Sequence, residues 1–395
     1  MDKLLNRSRL LVNAVDTTYV RNPGDKIAWD WRLTGIFGAR GVGKTTLFLQ
    51  QLKMHYAPEE AVYVTLDDIF FTDNRLINFI EAFRAVGGKY IFMDEVHKYP
   101  AWAREIKNAY DYFPDLFLFF TGSSAIDILK QEVDLSRRAV VYELPGLSFR
   151  EYLTIQLQQP FEPVTLEDVI AHHRDLAVEL ISRFKPLQYF QQYLKIGYYP
   201  FFLENERYYL ERLEKTIRLV IDADLNFIEG YDPRNAQKIY QLLYILATNT
   251  PFKPNVKKLS EKIGVSRATL IQYLHYLEKT RMINSLSSVD KSISTLQKPD
   301  KIYLNNTNLA YALAPEHVDI GALRETFFLN QVGVNHAVSL PARGDFLIED
   351  YTFEVGGKRK QQKQIAELPR GFIVVDNQEV GYQNKLPLWL FGFLY

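Results

Sequence analysis

Residues 38–46 read GARGVGKTT, and the reading of the whole chain starts from them. The stretch fits the pattern G-x-x-x-x-G-K-[S/T] in full, with Gly38, Gly43, Lys44 and Thr45 at the fixed positions and Gly41 as an extra glycine inside the loop. An apolar TGIF (34–37) precedes it and a helix-like TLFLQQLKMHY (46–56) follows. Glycines let successive backbone N–H groups curl around phosphate oxygens, and the N-terminus of the next helix adds its dipole. The spacing predicts that Gly38, Ala39, Arg40, Gly41, Val42, Gly43, Lys44, Thr45 and Thr46 cradle the phosphates of ATP. Lys44 would reach the β- and γ-phosphates, and Thr45 would hold Mg²⁺.

Such a loop needs a carboxylate from another strand. YIFMDEVH (90–97) has four apolar residues and then Asp94 and Glu95. Asp94 is placed to hold Mg²⁺ through water, and Glu95 to take the proton of the attacking water. FFTGSSA (119–125) ends another apolar run. Thr121, Ser123 or Ser124 there would touch the γ-phosphate or the water, or else form a polar turn into a helix. Asp67 and Asp68 in TLDD read first as a turn or helix cap. His97 in DEVH invites comparison with helicases, but one domain of this size has no room for a paired motor core. It reads as an ordinary residue of the following loop.

Around this site, the short apolar runs GIFGA, AVYVTL, YIFMD and LFLFFTG alternate with helical patterns. That alternation predicts an α/β fold with a parallel sheet. At 395 residues and 47% hydrophobic, the chain has material for several packed cores. Lys+Arg and Asp+Glu both total 47, so a nucleic acid or membrane would have to meet a local patch rather than a global field. There are no cysteines, which excludes disulfides, a thiol nucleophile and thiolate metal sites. The N-terminus lacks a signal-peptide core, and the longest apolar runs, such as LPLWLFGFLY (386–395), are short for a membrane helix. The expectation is a cytoplasmic chain that does not enter the membrane.

The segments GARGVGKTT, YIFMDEVHKYPAW, FFTGSSA, LSRRAVVYELPGLSFREYL and GYYPFFLE follow one another in an order that resembles the prokaryotic AAA-type ATPases with a C-terminal DUF4143 domain, near the archaeal ATPase group. The resemblance covers essentially the whole chain. It implies ATP and Mg²⁺ as cofactors and allows a homo-oligomer. It also implies an arginine near the γ-phosphate: Arg138, with Arg137 beside it, matches by position. Such an arginine, from the same chain or a neighbour, would stabilise developing charge. The alternative is a surface arginine paired with a carboxylate.

The expected organisation is an ATPase domain at 1–155, a helical lid or linker at 156–232, a winged-helix domain at 233–310 and a C-terminal domain at 311–395. In KKLSEKIGVSRATLIQYLHYLEKTRMI (257–283), Leu259 and Ile263 face a core and Gly264 ends the first helix. Ser266 caps a second helix carrying Leu270, Tyr273, Leu274 and Leu277 at helical spacing. Two strands, MINSLS and KIYLNN, would form a wing. Residues 251–301 carry ten Lys/Arg against four acids, a difference of six. Arg267 and Lys279 are the candidate DNA contacts. Alternatively, Ile271 and Tyr276, on the less buried face, would pack on the ATPase domain.

FEVGGKRK (353–360) sets the last question. Nucleases of the PD-(D/E)xK class hold Mg²⁺ with carboxylates on neighbouring strands and place a lysine two residues after the second. Asp345, Glu354 and the helix acid Glu325 suit the carboxylates, and the C-terminal α/β domain resembles that fold. Gly356 stands where the lysine belongs. Lys358 lies two residues on, about 7 Å along a strand, unless a glycine bulge brings it back. The expected function is Mg²⁺-dependent ATP hydrolysis coupled to DNA or a protein partner. The rivals are an ATP-gated DNA nuclease and a nucleotide-dependent scaffold or switch with negligible hydrolysis.

Overall fold

The computed structural model describes residues 1–21, 26–123, 135, 137–228, 230–249, 254–288, 298–357 and 368–395. Contacts divide them into two compact units, Met1–Gly146 with Asn226–Tyr231, and Leu147–Leu225 with Asp232–Tyr395. The expected ATPase domain, 1–155, coincides with the first unit up to Gly146, and the other three expected domains lie in the second unit apart from Asn226–Tyr231. Among the described residues no helix is long and apolar enough to cross a membrane.

The first unit is a parallel sheet between helices, of which α1 (Asp2–Ala14) is the first. Its strands are β1 (Leu33–Gly38), β2 (Ala61–Thr65), β3 (Tyr90–Asp94), β4 (Phe117–Ser123) and β5 (Val140–Glu143), in the order β2-β3-β4-β1-β5. β1 is buried throughout and β3 and β4 nearly so, as expected where both faces of a parallel sheet are covered. Alternate residues serve opposite faces. Phe92 and Phe119 stack at 4.4 Å on one face, with Phe48 of α2 (Lys44–His55) edge-on to Phe92 at 5.0 Å and Trp29 at 5.5 Å from Phe119. On the other face Phe37, Val64, Met93 and Phe120 meet Ile80, Trp102 and Ile106.

Because all five strands run the same way, Gly38, Thr65, Asp94 and Ser123 finish at one edge of the sheet. β4 lies between β1 and β3, which separates the phosphate loop from Asp94 by two strand spacings, about 10 Å. Side chains must bridge that gap.

The second unit is mainly helical up to residue 279. The helices Val256–Ile263 and Arg267–Lys279 meet at Gly264 (φ 70°), and Ser266 accepts a hydrogen bond from the Thr269 N–H at 3.1 Å as the second helix's cap. An antiparallel pair follows, β6 (Ile283–Leu286) with β7 (Lys301–Leu304). Tyr276, expected on a less buried face, is buried at 3% exposure. Further on, β8 (Val338–Ser339), β9 (Phe346–Ile348), β10 (Tyr351–Gly356), β11 (Gly371–Val375) and β12 (Lys385–Pro387) form a mixed sheet in the order β12-β11-β10-β9-β8. Its β8–β9–β10 pairings are antiparallel and its β10–β11–β12 pairings parallel.

Two of the quoted segments have a structural cause here. Ser148 and Glu151 of PGLSFREYL form a capping box at the start of the helix Phe149–Leu157. Ser148 Oγ and Arg150 Nε both donate to the main-chain oxygen of Tyr395 at 2.8 Å. In GYYPFFLE, the Tyr198 N–H donates to Asn308 Oδ1 at 2.9 Å, while Asn308 Nδ2 donates to the carbonyls of Tyr193 and Leu194 at 3.0 and 2.9 Å. These are buried main-chain and amide groups that must find partners inside the fold.

Phe92 is fully buried at the centre of the aromatic face. Phe92→Ala should lower the unfolding free energy of the first unit by about 3–5 kcal/mol. Tyr112→Ala, at a 66% exposed position, should shift it by less than about 0.5 kcal/mol. Urea titrations of both variants check this, and equal shifts would remove Phe92 from the centre of the core.

Candidate functional site

The phosphate loop has the backbone that its glycines permit. Gly41 (φ 86°) and Gly43 (φ 98°) lie in the left-handed region, and Gly43 is the residue from which α2 departs. A Cβ on Gly38 would stand 2.4 Å from the main-chain oxygen of Leu144, so a side chain there collides with backbone. Lys44 folds over the loop and donates from Nζ to the carbonyls of Gly38 (2.8 Å) and Ala39 (2.9 Å). The loop is tied down by buried Arg21, which donates to the carbonyls of Val42 (3.1 Å), Pro145 (2.6 Å) and Gly146 (2.8 Å).

Asp94 is the centre of the site. It is 2% exposed, so its carboxylate has to be hydrogen-bonded to be tolerated. Oδ2 accepts from the Thr45 hydroxyl at 2.6 Å and from the Tyr63 hydroxyl at 2.8 Å. Oδ1 accepts from the Thr121 hydroxyl and from the Glu95 N–H, the latter at 3.0 Å. The Glu95 N–H also lies 3.2 Å from Thr121 Oγ1. Burial and then the Asp94 charge push the Tyr63 phenol far above its ordinary pKa, so it stays a donor. Thr45, the adjacent Asp94 and Glu95, and Thr121, from three places in the sequence, are therefore together. Thr45 and Asp94 offer the hard oxygen ligands that suit Mg²⁺.

Glu95 itself has a left-handed backbone (φ 50°, ψ 45°), uncommon for a residue with a side chain. A short 3-10 turn, Val96–Lys98, follows. Arg40 Nη1 lies 3.6 Å from Glu95 Oε1. His97 is buried, not in open loop, and meets the ring of Phe227 edge-on at 5.1 Å. Burial pushes its imidazole down to a pKa of about 3, helped by the positive charges of Lys98, Lys44 and Arg40.

Arg138 stands elsewhere. It forms a two-point pair with Asp111, Nε to Oδ1 at 2.8 Å and Nη2 to Oδ2 at 3.0 Å. The parallel register opposes Thr34 to Val140, so Arg138 precedes β5 at the end of the sheet away from Gly38. The length of β1, about 16 Å, separates the two. Within this chain the structure realises the surface-pair alternative for Arg138. Ser123 is buried at the end of β4 opposite Gly38, and Ser124 lies outside the described residues. Asp68 accepts from the Phe70 N–H at 2.9 Å as a turn residue. Tyr63 and Arg21 were missed, because each acts on a residue far away in sequence and neither belongs to a motif.

In the second unit, Glu325 of the helix Ile320–Val332 and Asp345 converge on one cation. Lys301 Nζ is 3.6 Å from Glu325 Oε2 and 3.6 Å from Asp345 Oδ1. The Tyr303 hydroxyl donates to Glu325 at 2.8 Å, and Asp345 Oδ2 accepts from the Val355 N–H at 3.0 Å. Lys301, counted above among the ten basic residues of 251–301, is largely buried at 15% exposure. Glu354 is buried on β10 opposite Ile373. Among the described residues no three carboxylate or imidazole side chains are grouped to hold a metal, so Glu325, Asp345 and Glu354 do not form the expected triad. Lys358 lies outside the described residues. Arg267 and Lys279 occupy opposite ends of their helix, about 18 Å apart, with Arg267 exposed and Lys279 half-buried.

Residues 30–153 match a family model described as an AAA domain, and residues 187–319 match a domain of unknown function, DUF8612. The second match stands in place of the expected DUF4143 and runs across the borders expected at 232/233 and 310/311. An uncharacterized protein of Methanocaldococcus jannaschii is 27% identical over 390 residues, 87% of this chain and 81% of its own length. Among solved structures, C. elegans PCH-2 is 16% identical, with 46% of this chain and 45% of that chain covered and a TM-score of 0.23. Katanin, in a structure of its self-assembly, is 16% identical over 42% of this chain and 60% of that one, with a TM-score of 0.24. The chain spans less than two thirds of either solved chain. The match of residues 30–153 to an AAA domain supports nucleotide binding and hydrolysis.

With its folded pKa near 3 against 6.5 for a free imidazole, His97 should stay neutral from pH 8 to 5. The unfolded chain takes up this proton first as the pH falls. The neutral ring's contribution to stability is therefore present above 6.5 and is lost between 6.5 and 3. The His97 ring resonances, assigned by comparison with His97→Gln, should not move between pH 8 and 5. A midpoint near 6.5 would mean that the ring is hydrated.

Proposed function

We propose that the chain binds ATP and Mg²⁺ on residues 38–46 and hydrolyses ATP to ADP and phosphate. The observation that carries this reading is the convergence of Thr45, Thr121 and the Glu95 N–H on the buried Asp94 carboxylate, beside a complete phosphate loop. Lys44 would exchange the carbonyls of Gly38 and Ala39 for phosphate oxygens. Thr45 and Asp94 would hold Mg²⁺, which when bound neutralises charge on the β- and γ-phosphates. Thr121 fixes both Asp94 and the backbone of Glu95. The Glu95 carboxylate would accept the proton of the attacking water as its oxygen bonds to the γ-phosphorus and the bond to the ADP oxygen breaks. The second unit is the part left for a partner.

A duplex-DNA partner is favoured by one feature. Lys257, Lys258, Lys262 and Arg267 are all exposed on the helix pair that precedes β6 and β7, an arrangement compatible with a winged helix. Metal-dependent cleavage is disfavoured, since the Lys301 ammonium already supplies the positive charge that Glu325 and Asp345 would offer a metal.

Lys44→Ala should abolish tight ATP binding, by at least about a hundredfold given the loss of a charge-assisted contact. Glu95→Gln should keep ATP bound while turnover falls about a hundredfold or more, because an amide accepts no proton. Calorimetry and phosphate release check the two. Wild-type turnover in Glu95→Gln would remove Glu95 as base, and absent turnover in the wild type would favour the scaffold reading.

Duplex DNA affinity should fall steeply between 50 and 200 mM salt, by about a hundredfold for a handful of phosphate contacts. Reversing the charge of Lys257, Lys258 and Arg267 should flatten that slope. Fluorescence anisotropy showing no binding at low salt, with or without nucleotide, would leave a protein as the partner.

A further inference from the structure

Arg40 and Glu95 form an ion pair between the phosphate loop and the residue after Asp94, at 3.6 Å from Nη1 to Oε1. Their side chains are 24% and 30% exposed, so water and salt screen the pair less than a pair on the open surface. The loop's own backbone fixes one partner: Arg40 is followed directly by Gly41 with its positive φ. The other is fixed more tightly. The Glu95 N–H is held by Asp94 and Thr121, and its left-handed backbone sets the direction in which the carboxylate leaves the chain. Such a conformation costs free energy and persists where the surroundings impose it. The positive charges of Arg40 and Lys44 both reach His97, so the two cations share one neighbourhood.

We propose that Arg40 is a positioning residue that senses the γ-phosphate: it holds the Glu95 carboxylate when no γ-phosphate is present, and transfers to the γ-phosphate of ATP when one arrives. The inference rests on the ATPase reading above. Arg40 lies within the loop that gathers the phosphates, so the transfer needs a change of side-chain rotamer and no movement of the sheet. A guanidinium is a planar fork that suits carboxylate and phosphate oxygens alike. A phosphate carrying more negative charge than a carboxylate competes well for it. The Glu95 carboxylate would therefore turn to the attacking water only once Arg40 has left it. ADP, which lacks the γ-phosphate, leaves the pair closed. The site would thus distinguish ATP from ADP before any chemistry begins.

The test is a double-mutant cycle on nucleotide affinity with Mg²⁺ present, using AMP-PNP and ADP as probes. Glu95→Gln removes the charge that competes for Arg40, so it should tighten AMP-PNP binding about tenfold, the size of one partly buried charge contact. ADP affinity should change less than about twofold. In an Arg40→Ala background the same Glu95→Gln change should leave AMP-PNP affinity unaltered. Arg40→Ala alone should lower the preference for AMP-PNP over ADP, and Arg40→Lys should restore part of it. An equal effect of Glu95→Gln with and without Arg40, or parallel losses of AMP-PNP and ADP in Arg40→Ala, would overturn the proposal. Lys44→Ala separates the two levels. If the wild type binds neither nucleotide, or binds both as well as Lys44→Ala does, the ATPase reading falls. If Lys44→Ala alone loses both nucleotides and the cycle shows no coupling, only the sensing role falls.

Discussion

The site in the first unit depends on one buried carboxylate. Asp94 at 2% exposure would be costly without donors, and each donor comes from a different element. Thr45 comes from the start of α2, Tyr63 from β2, Thr121 from β4, and the Glu95 N–H from the residue after β3. These contacts require β3 to lie between β2 and β4 and α2 to begin beside it, which is the observed strand order. The strand order thus places the donors, and the donors make the carboxylate tolerable. Chemistry and architecture share the same four hydrogen bonds.

The elements readable from sequence were those with local causes. GARGVGKTT carries its backbone geometry in its glycines, and the structure shows Gly41 and Gly43 in the conformation that only glycine takes easily. YIFMDE combines a strand and its terminal acid in six residues. Gly264 and Ser266 mark a helix junction because stop and cap signals are also local. Tyr63 was not readable, since in AVYVTL it looks like any strand aromatic and only the pairing of β2 with β3 gives its hydroxyl a purpose. Arg21 escaped notice for the same reason, as its partners are carbonyls up to 125 residues away. Arg138 shows the converse case within one chain. Position along a resembling segment suggested the γ-phosphate, whereas the parallel register puts the residue at the far end of the sheet and gives it to Asp111.

In the second unit, spacing along the chain does not show how the charges pair. Lys301 was counted toward the local basic excess of 251–301, yet it is largely buried beside the acids Glu325 and Asp345. The lysine that pairs with those acids comes from β7, about 50 residues before the FEVGG stretch, so no E-x-K spacing can reveal it. The borders expected at 232/233 and 310/311 are crossed by the DUF8612 match, and the residues on both sides pack into one unit. Asn308 bonding to Tyr198, Tyr193 and Leu194 is an instance of contacts that cross the border at 232/233.

The role given to Asp94 is tested most directly by measuring how much Mg²⁺ strengthens nucleotide binding. AMP-PNP affinity is determined with Mg²⁺ and with EDTA, for the wild type and for Asp94→Asn, which keeps an oxygen to accept from Thr45 and Tyr63. Mg²⁺ should tighten binding in the wild type by about tenfold or more, and this gain should vanish in Asp94→Asn while the metal-free affinity stays within about threefold. An equal gain from Mg²⁺ in both proteins would contradict the assignment of Asp94 to the metal.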